Sequence, residues 1–559
     1  MKEKVAILGY TKEEASRYKL FEFYNIEDAE CIAMNHSNFL AHNDFDNYID
    51  HKILHEDIAV LPKQIAYTWY RNNQYIDNFK NQFSVGIAMQ KKVATLISYN
   101  LKYYFAFKQL LKKYTLVILP ENISHDLLII IKLLKANAII HNAFSEDVNT
   151  LNQITQSLGK ITKYPINKYS PYMYKIQKFF SLASHKKTLV FTDWTYKHYR
   201  SNSFLYQNSK NIFNGFYTKN QSNNISRFIS TFPEYIDVNN SKLNKINERV
   251  MDDVDKNNLS YLFKEVISHE YKSSLENLCR SYLTIKDIFV NYKPKQFVCA
   301  TISHPWHTIM AEISREMNIT STVILDGYAT YLDKLYYPKD SNNEKYLFDN
   351  HAFSGSLAKE LSNELFPEVK GNLIKFPISD LISKKKKIAN ERYDALVMML
   401  YPRYENPNSH FDQKFKYILD IINVLKKNNF KRIAIKFKHA HKNVAIYENM
   451  FIKDLLLSKN LADLEICEGS FHDIIYDAGF IVGQAGTALI ESNIVNTPFY
   501  IYEPIYNGLT DNDIERSVFK HTHYARTLAE LETNIVMRRD SILNRNKLVD
   551  GSTMTDIIN

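Results

Sequence analysis

The chain has 559 residues, of which 45% are hydrophobic, and its formal net charge is +9 at pH 7. This length and apolar content exclude a disordered chain and predict two or more domains. The basic residues are interleaved with acids, so the charge gives no indication of a nucleic-acid partner.

The beginning of the chain has the charged residues and short apolar run of a first β-strand, over Val5–Gly9, and lacks the long apolar core of a signal peptide. The most apolar stretch, 127–134, is too short to span a bilayer. Four cysteines lie far apart, without metal-ligand spacing, which is typical of a reducing compartment. We therefore expect a cytoplasmic protein without disulfides, zinc or a transmembrane helix.

A first strand–helix–strand unit follows in the chain. The apolar run 115–119 predicts a strand, Ser124 is placed to cap a helix over 126–136, and 138–140 predicts the next strand. Residues 201–258 are rich in Asn, Ser and Lys with weak periodicity, which indicates a polar, loop-rich insertion.

A second such unit consists of a strand over 296–300, a helix over 306–317 and a strand over 321–325. The lysine run 384–387 lies in a polar stretch before a fresh strand at 395–400, and it is read as a solvated linker or, alternatively, as a contact with a membrane surface. We place the domain boundary there, with an N-terminal domain over 1–380 and a C-terminal domain over 390–545.

The C-terminal domain repeats the alternation. Its predicted helices and strands are a helix over 414–427, a strand over 432–437, a helix over 446–457, a strand over 464–466, a helix over 471–477, a strand over 480–482, a helix over 488–495 and a strand over 499–501. The fold class predicted is α/β, with two Rossmann-like domains facing across a cleft. Ligands of such sheets bind beyond the carboxyl ends of the strands.

The most specific segment is the small-residue turn after the strand at 480–482. It contains Gly483, Gln484 and Gly486, and a helix opens at Thr487. Glycine permits close approach of the backbone to a ligand, and a helix N-terminus attracts a phosphate. Glu491 follows one helical turn later, where its carboxylate can accept hydrogen bonds from ribose hydroxyls.

A basic segment, called here the basic loop, begins at the end of the strand at 432–437 and continues beyond it. It contains Lys436, Lys438, His439 and His441, which can stabilise the growing charge on a leaving nucleotide phosphate. His439 is the preferred catalytic candidate and His441 competes with it. No Asp-x-Asp pair follows a strand, so we expect neither a metal nor another cofactor.

These two segments resemble the donor site of GT-B glycosyltransferases. The glycine turn with its helical Glu resembles the donor-nucleotide site of the fold, and the basic loop is similar to the Lys-x-His-Pro loop of bacterial sialyltransferases, Kdo transferases and teichoic-acid polymerases, with Ala440 in place of the proline. The resemblance covers roughly the second half of the chain. It implies a nucleotide-sugar donor bound by the C-terminal domain.

Two further candidates lie at strand ends of the N-terminal domain. Asp326 precedes Gly327 after the strand at 321–325, where sialyltransferase-like families hold an acidic general base; an ordinary Asp-Gly turn is the alternative. His304 follows the strand at 296–300 and is a second candidate for the base, or for binding the acceptor sugar.

The resulting hypothesis is an inverting, metal-independent glycosyltransferase of bacterial capsule or lipopolysaccharide synthesis. It would take a CMP-activated acidic sugar as its first-choice donor and a glycan or lipid-linked glycan as acceptor, at the inner face of the inner membrane. The alternatives are a polyol-phosphate transferase of teichoic-acid-like polymers and a non-catalytic scaffold of the same fold. A nucleotide-sugar epimerase would be recognised by a product formed without acceptor.

Overall fold

A computed structural model gives the fold of the chain. The residues that it describes are 4–9, 15–16, 19–24, 26, 29–32, 61–62, 64–66, 68–73, 83–120, 124–141, 188–191, 212–213, 226, 229–234, 236–246, 248, 251–294, 296–299, 305–324, 348–365, 371–374, 392–400, 411–438, 456, 461, 464–467, 471–504, 511–515 and 517–551.

Parallel strands and intervening helices make up this part of the chain. The strands are β1 (Val5–Leu8), β2 (Ala29–Ile32), β3 (Leu116–Pro120), β4 (Ala138–His141), β5 (Thr188–Phe191), β6 (Ile212–Phe213), β7 (Gln296–Cys299), β8 (Thr320–Ile324), β9 (Asn350–Ser354), β10 (Gly371–Ile374), β11 (Tyr393–Leu400), β12 (Ile433–Lys438), β13 (Glu465–Ile466), β14 (Ala478–Gly483), β15 (Phe499–Tyr502) and β16 (Tyr524–Ala525). The helices are α1 (Leu20–Phe23), α2 (Val85–Lys113), α3 (His125–Leu133), α4 (Asp253–Tyr292), α5 (Pro305–Glu316), α6 (Ser356–Leu365), α7 (Phe411–Lys427), α8 (Phe471–Ile474), α9 (Thr487–Ile494), α10 (Asp511–Glu515), α11 (Leu528–Val536) and α12 (Arg545–Val549), with a 3-10 turn at Leu243–Lys245.

The predicted α/β class is confirmed, and the strands form three parallel sheets. Their strand orders are β2-β1-β3-β4, β10-β9-β8-β7-β5-β6 and β13-β12-β11-β14-β15-β16. The sequence predicted two Rossmann-like domains; the two six-stranded sheets have that form, and the four-stranded sheet at the beginning of the chain is an addition. The proposed cleft stays a prediction.

The chain divides into two compact units. The first comprises Met1–Lys178 and Tyr217–Thr284, and the second comprises Phe179–Phe216 and Ile285–Asn559. The segment 201–258, predicted as a loop-rich insertion, contributes β6 to the sheet of the second unit and the start of α4 to the first. The predicted boundary between 380 and 390 lies outside the described residues.

The first unit packs its two long helices through a buried polar contact. Asp255 of α4 accepts hydrogen bonds from the Tyr104 hydroxyl at 2.9 Å and from Lys108 Nζ at 2.7 Å, both on α2. The Asp255 side chain is only 6% exposed, and a buried carboxylate is tolerated because it is paired and hydrogen-bonded. This contact fixes α2 against α4.

The second unit contains both six-stranded sheets, and its last helix links them. Lys547 of α12 pairs with Glu360 of α6 at 2.7 Å, and the Ser356 amide donates to Asp550 at 2.7 Å. Apolar residues of α6, the C-terminal sheet, α9 and α12 share one hydrophobic core. The C-terminal end of the chain therefore returns to the layer that holds α6.

The C-terminal sheet is doubly wound. From β11 the chain moves outward through β12 to β13, and later from β14 through β15 to β16 in the opposite direction. In such sheets the helices after the two central strands diverge to opposite faces, which leaves a crevice at the carboxyl ends of those strands. The switch point here lies between β11 and β14, and β14 ends at Gly483.

Candidate functional site

The turn at the switch point opens helix α9 without a side-chain cap. Gly486 is the N-cap residue, with extended backbone (φ −171°, ψ −173°); as a glycine it has no side chain that could cap the helix, and its carbonyl accepts from the Leu489 amide at 3.1 Å. An uncapped helix N-terminus presents N–H donors and the positive end of the helix dipole. These features, with the position at the switch point, agree with the predicted anion site, and binding of an anion there stays a prediction.

The two glycines of the turn do different things. A Cβ atom on Gly483 would lie 3.0 Å from Met398 Cβ and 3.0 Å from a ring carbon of Phe499. Among the residues that the structure describes, a Cβ atom on Gly486 would meet only the Gln484 carbonyl oxygen, at 3.9 Å. Gly483 is therefore required by packing inside the protein, whereas Gly486 borders open space through which a ligand can approach.

A buried carboxylate that the sequence analysis did not single out holds the turn in place. The amide of Ala485 donates to Glu503 Oε1 at 2.7 Å, and Glu503 is fully buried. The backbone of Glu503 is itself fixed, because its N–H donates to the Ala525 carbonyl at 2.9 Å and its carbonyl accepts from Arg526 Nη1 at 2.8 Å. Glu503 thus holds the turn after β14 in a fixed position relative to the end of β15.

Glu491 lies one helical turn after Thr487, as predicted, but it is buried and already engaged. It is 8% exposed, and its Oε2 lies 3.2 Å from Nε2 of His472 on α8. The pair joins α9 to α8. His472 is a second residue at the site that the sequence analysis missed, since 19 positions of chain separate it from its partner.

Lys436 supplies a buried positive charge on the same sheet. It is 3% exposed and donates from Nζ to the carbonyl oxygen of Cys467 at 3.5 Å. Burial raises the pKa of the Cys467 thiol, with Lys436 acting in the opposite direction. Lys436 pairs in register with Met398 of β11, which in turn contacts Gly483, so two strand spacings, about 10 Å, separate Lys436 from the turn.

Gln484, between the two glycines of the turn, has a buried side-chain amide oxygen. This atom, Oε1, has no hydrogen-bond partner among the residues that the structure describes. A buried acceptor without a partner is costly, by about 1–3 kcal/mol, and such groups are often satisfied by a ligand or water. The amide is therefore available to a donor group of a bound ligand.

The remaining candidates lie outside the described residues. These are Asp326, His304, His439 and His441, together with the side chain of Lys438. Their flanking elements have the predicted form: β8 ends at Ile324, α5 begins at Pro305 and β12 ends at Lys438. Asp326, His304 and His439 thus each lie within two residues of a described element.

Two negative findings apply to the described part of the chain. No group of three or more His, Cys, Asp or Glu side chains there could hold a metal ion. None of the helices described is both long and apolar enough to cross a bilayer.

Comparison with known proteins gives structural similarity alone. No protein-family model matches the chain, and no curated protein matches it. Among solved structures, it is similar to UDP-GlcNAc 2-epimerase from Neisseria meningitidis bound to UDP-GlcNAc, with 13% identity, 66% of this chain and 98% of that chain covered, and a TM-score of 0.38. It is also similar to the MnaA–UDP complex of S. aureus, with 11% identity, 66% and 92% coverage and a TM-score of 0.36.

A third similar structure is the wall teichoic acid polymerase TagF, with 11% identity, 70% of this chain and 89% of that chain covered, and a TM-score of 0.31. These scores are low. The fold and the candidate site are therefore defined by the strand order and contacts of the chain itself.

Proposed function

We propose that this chain is a glycosyltransferase of the GT-B type that binds a nucleotide-activated sugar at the turn between β14 and α9. The observation that carries the proposal is the coincidence of three features: the turn lies at the switch point of a doubly wound sheet, its helix has no side-chain cap, and Gly486 borders open space. Each of these features favours a phosphate-bearing ligand.

In this proposal the first-turn N–H groups of α9 hold a phosphate of the donor. Lys436 adds positive charge about two strands away, and the unpartnered amide oxygen of Gln484 faces a donor group of the ligand. Glu491, oriented by His472, accepts hydrogen bonds from the ribose. Lys438 and His441 bind the phosphate from the loop after β12.

The chemistry proposed is inverting transfer without a metal. Asp326, or alternatively His304, removes the proton of the acceptor hydroxyl as the sugar carbon is attacked. His439 stabilises the negative charge that develops on the leaving nucleotide phosphate. The acceptor proposed is a glycan or lipid-linked glycan of a bacterial capsule or lipopolysaccharide, with the enzyme in contact with the inner face of the inner membrane.

A thermal-shift screen tests the binding part of this proposal. A ligand that binds only the folded protein stabilises it by about 2.7 kcal/mol at a hundredfold excess over its Kd. Stabilisation by CMP would support the donor first proposed, a CMP-activated acidic sugar. Stabilisation by UDP or GDP would replace that donor and keep the site, and no stabilisation by any nucleotide would favour a non-catalytic scaffold.

Product analysis tests the reaction. Incubation of the protein with the stabilising nucleotide sugar and a glycan acceptor should release the free nucleotide and extend the acceptor. A changed sugar nucleotide in the absence of acceptor would identify an epimerase instead, and transfer of a polyol phosphate from a CDP-polyol would identify the polymerase-like alternative.

A further inference from the structure

An unusual surface follows helix α11, where apolar and basic side chains are exposed together. Val536 is 61% exposed, Met537 is 58% exposed and Ile542 is 66% exposed. Three arginines lie among or just beyond them and are also exposed: Arg538, Arg539 and Arg545. We call these six residues the arginine patch.

The fold holds this segment in place. Helix α11 ends with Arg538 in the left-handed region (φ 52°), and the amides of Arg538 and Arg539 donate to the carbonyls of Ile535 and Asn534. This is a glycine-type helix ending in which an arginine occupies the position that glycine fills at least cost. The exposed arginines are therefore carried on a defined turn.

The chain beyond the turn is anchored on both sides of Ile542. The Ser541 amide donates to the Phe499 carbonyl at 2.6 Å, and the Leu543 amide donates to Asn493 Oδ1 at 2.9 Å. Ser541 and Leu543 are buried, and because side chains alternate along an extended chain, the Ile542 side chain points outward. Its exposure is a consequence of the architecture around it.

The segment 536–545 contains three arginines and one aspartate, Asp540, so its net charge is +2. Neighbouring basic residues have acidic partners: Lys427 pairs with Glu532 and Lys547 pairs with Glu360, each at 2.7 Å. Within the part of the chain that the structure describes, no ion pair engages Arg538, Arg539 or Arg545.

We propose that the arginine patch docks on an anionic lipid surface. Exposed apolar side chains can enter the interfacial region of a bilayer, and guanidinium groups bind lipid phosphates bidentately. Each arginine near an anionic surface also adds electrostatic attraction. The inference develops the membrane contact put forward under the proposed function by naming the surface that makes it, and it does not depend on the donor site.

Charge complementarity favours lipid over a second copy of the chain. An isologous contact would bring the three arginines of one copy toward those of the other, which is unfavourable. An anionic bilayer supplies opposite charge to all three and an apolar interior to Val536, Met537 and Ile542. The combination of both residue classes within the segment 536–545 matches the requirements of that partner.

The placement of the patch is compatible with an open donor site. Ser541 bonds to Phe499 at the beginning of β15, while the turn that holds Gly486 follows the end of the neighbouring parallel strand β14. The Ser541 hydroxyl also accepts from the Ile501 amide, and the Leu543 amide donates to Asn493 near the end of α9, whereas Gly486 precedes the first turn of that helix. This part of the patch is therefore anchored at the end of α9 that lies away from the glycine turn.

Co-sedimentation of the full chain with vesicles tests the proposal. Binding to phosphatidylglycerol vesicles should exceed binding to phosphatidylcholine vesicles and should fall as salt is added. The combined substitutions Arg538→Gln, Arg539→Gln and Arg545→Gln should weaken it by about a hundredfold, roughly fivefold for each arginine. The combined substitutions Val536→Ser, Met537→Ser and Ile542→Ser should also weaken it.

Matched controls replace equally exposed residues elsewhere. Lys112, Lys245 and Lys264 changed to Gln remove the same charge, and Val254, Tyr261 and Val290 changed to Ser remove exposed apolar side chains. Both controls should bind vesicles as the unchanged protein does. A nucleotide titration of each variant separates loss of this surface from failure of the donor site.

Three results would overturn the inference. The first is equal vesicle binding by the arginine variant, and the second is equal binding to phosphatidylcholine. The third is a concentration-dependent dimer, seen by sedimentation without vesicles, that the Val536, Met537 and Ile542 substitutions abolish; this result would assign the patch to a second copy.

Discussion

Replacing each glycine of the β14–α9 turn by alanine separates packing from ligand binding. Gly483→Ala places a Cβ atom 3.0 Å from two side-chain carbons and 3.2 Å from the Met398 carbonyl oxygen. These distances are closer than ordinary contacts, so the strand must shift. Overpacking of this kind costs about 1–3 kcal/mol, and we expect a clearly lower melting temperature.

Gly486→Ala should leave stability almost unchanged. The new methyl group meets no atom of the described part of the chain closer than 3.9 Å, and any residue can adopt the extended backbone of Gly486. Alanine is a poorer N-cap residue than glycine, by up to about 1 kcal/mol. It also lowers the conformational entropy of the unfolded chain, which stabilises the folded protein by a similar amount. The two effects nearly cancel.

The same substitution should weaken nucleotide binding at least tenfold, because the methyl group occupies the space through which the ligand reaches the first-turn N–H groups. Tenfold corresponds to about 1.4 kcal/mol. At a ligand concentration one hundredfold above the original Kd, about half of the ligand-induced stabilisation should disappear.

The assay is thermal denaturation of the unchanged protein and the two variants, each with and without nucleotide, followed by calorimetric titration. The account requires a destabilised Gly483→Ala and a stable Gly486→Ala that binds nucleotide poorly. If Gly486→Ala binds nucleotide with unchanged affinity, the ligand does not approach this turn, and the reasoning from the open space at Gly486 is refuted.

Further predictions concern two buried carboxylates near the turn and one buried histidine on β9. Glu503→Ala should lower both stability and nucleotide affinity, because the Ala485 amide loses its acceptor. Glu503→Gln should recover most of both, since its amide oxygen can still accept this hydrogen bond. If paired melting and titration experiments show no recovery in Glu503→Gln, Glu503 does not have this role. Glu491→Ala should weaken nucleotide binding while the circular dichroism spectrum stays unchanged, and equal affinity would remove Glu491 from the site. Burial lowers the pKa of His351 to about 4, so between about pH 6.5 and 4 this histidine binds a proton in the unfolded chain but not in the folded one. Stability should therefore fall as the pH drops from about 6.5 toward 4. In acid-denaturation curves, His351→Leu should make this decline smaller.

Five strands of the C-terminal sheet, β11 to β15, were predicted from the sequence because each has a local signal, whereas the two-residue strand β16 was not predicted. Apolar runs such as 480–482 predicted buried strands, and the small residues around Gly483 and Gly486 predicted the sharp turn into α9. Ser124 was correctly expected to cap a helix; its hydroxyl accepts from the Leu127 amide. In each case the feature that determines the structure lies within a few residues of the element.

The two long helices of the first unit were not predicted. Helix α4 carries buried apolar residues at helical spacing, including Leu259, Phe263, Val266 and Ile267, but polar residues surround them and its beginning lies in a stretch rich in Asn and Lys. Because α4 was not recognised, the weakly periodic stretch 201–258 that contains its beginning was predicted to be rich in loops. Strands were predicted at the positions of β1, β3 and β4, but not their separate sheet, since β1 pairs with β3 across 111 residues of chain, from Val5 to Leu116, and such pairing leaves no local pattern.

The contacts that support the candidate site were also inaccessible to sequence reasoning. Glu503 meets Ala485 across 18 positions, and an acidic residue before a proline at a strand end looks like the start of a solvated turn. Only the register of β14 against β15 brings the carboxylate to the amide. The two glycines predicted a turn, but the sequence could not show that Gly483 is tightly packed and Gly486 is not. That difference depends on Met398 and Phe499, which are distant in the chain.

Titration calorimetry of the intact protein with CMP, CDP, UDP and GDP tests the central claim most directly. The account predicts saturable, one-to-one binding of at least one of these nucleotides, weakened by Gly486→Ala and retained in the three-lysine control. Absence of binding by all four nucleotides to a protein that melts cooperatively would contradict the assignment of the β14–α9 turn as a donor site.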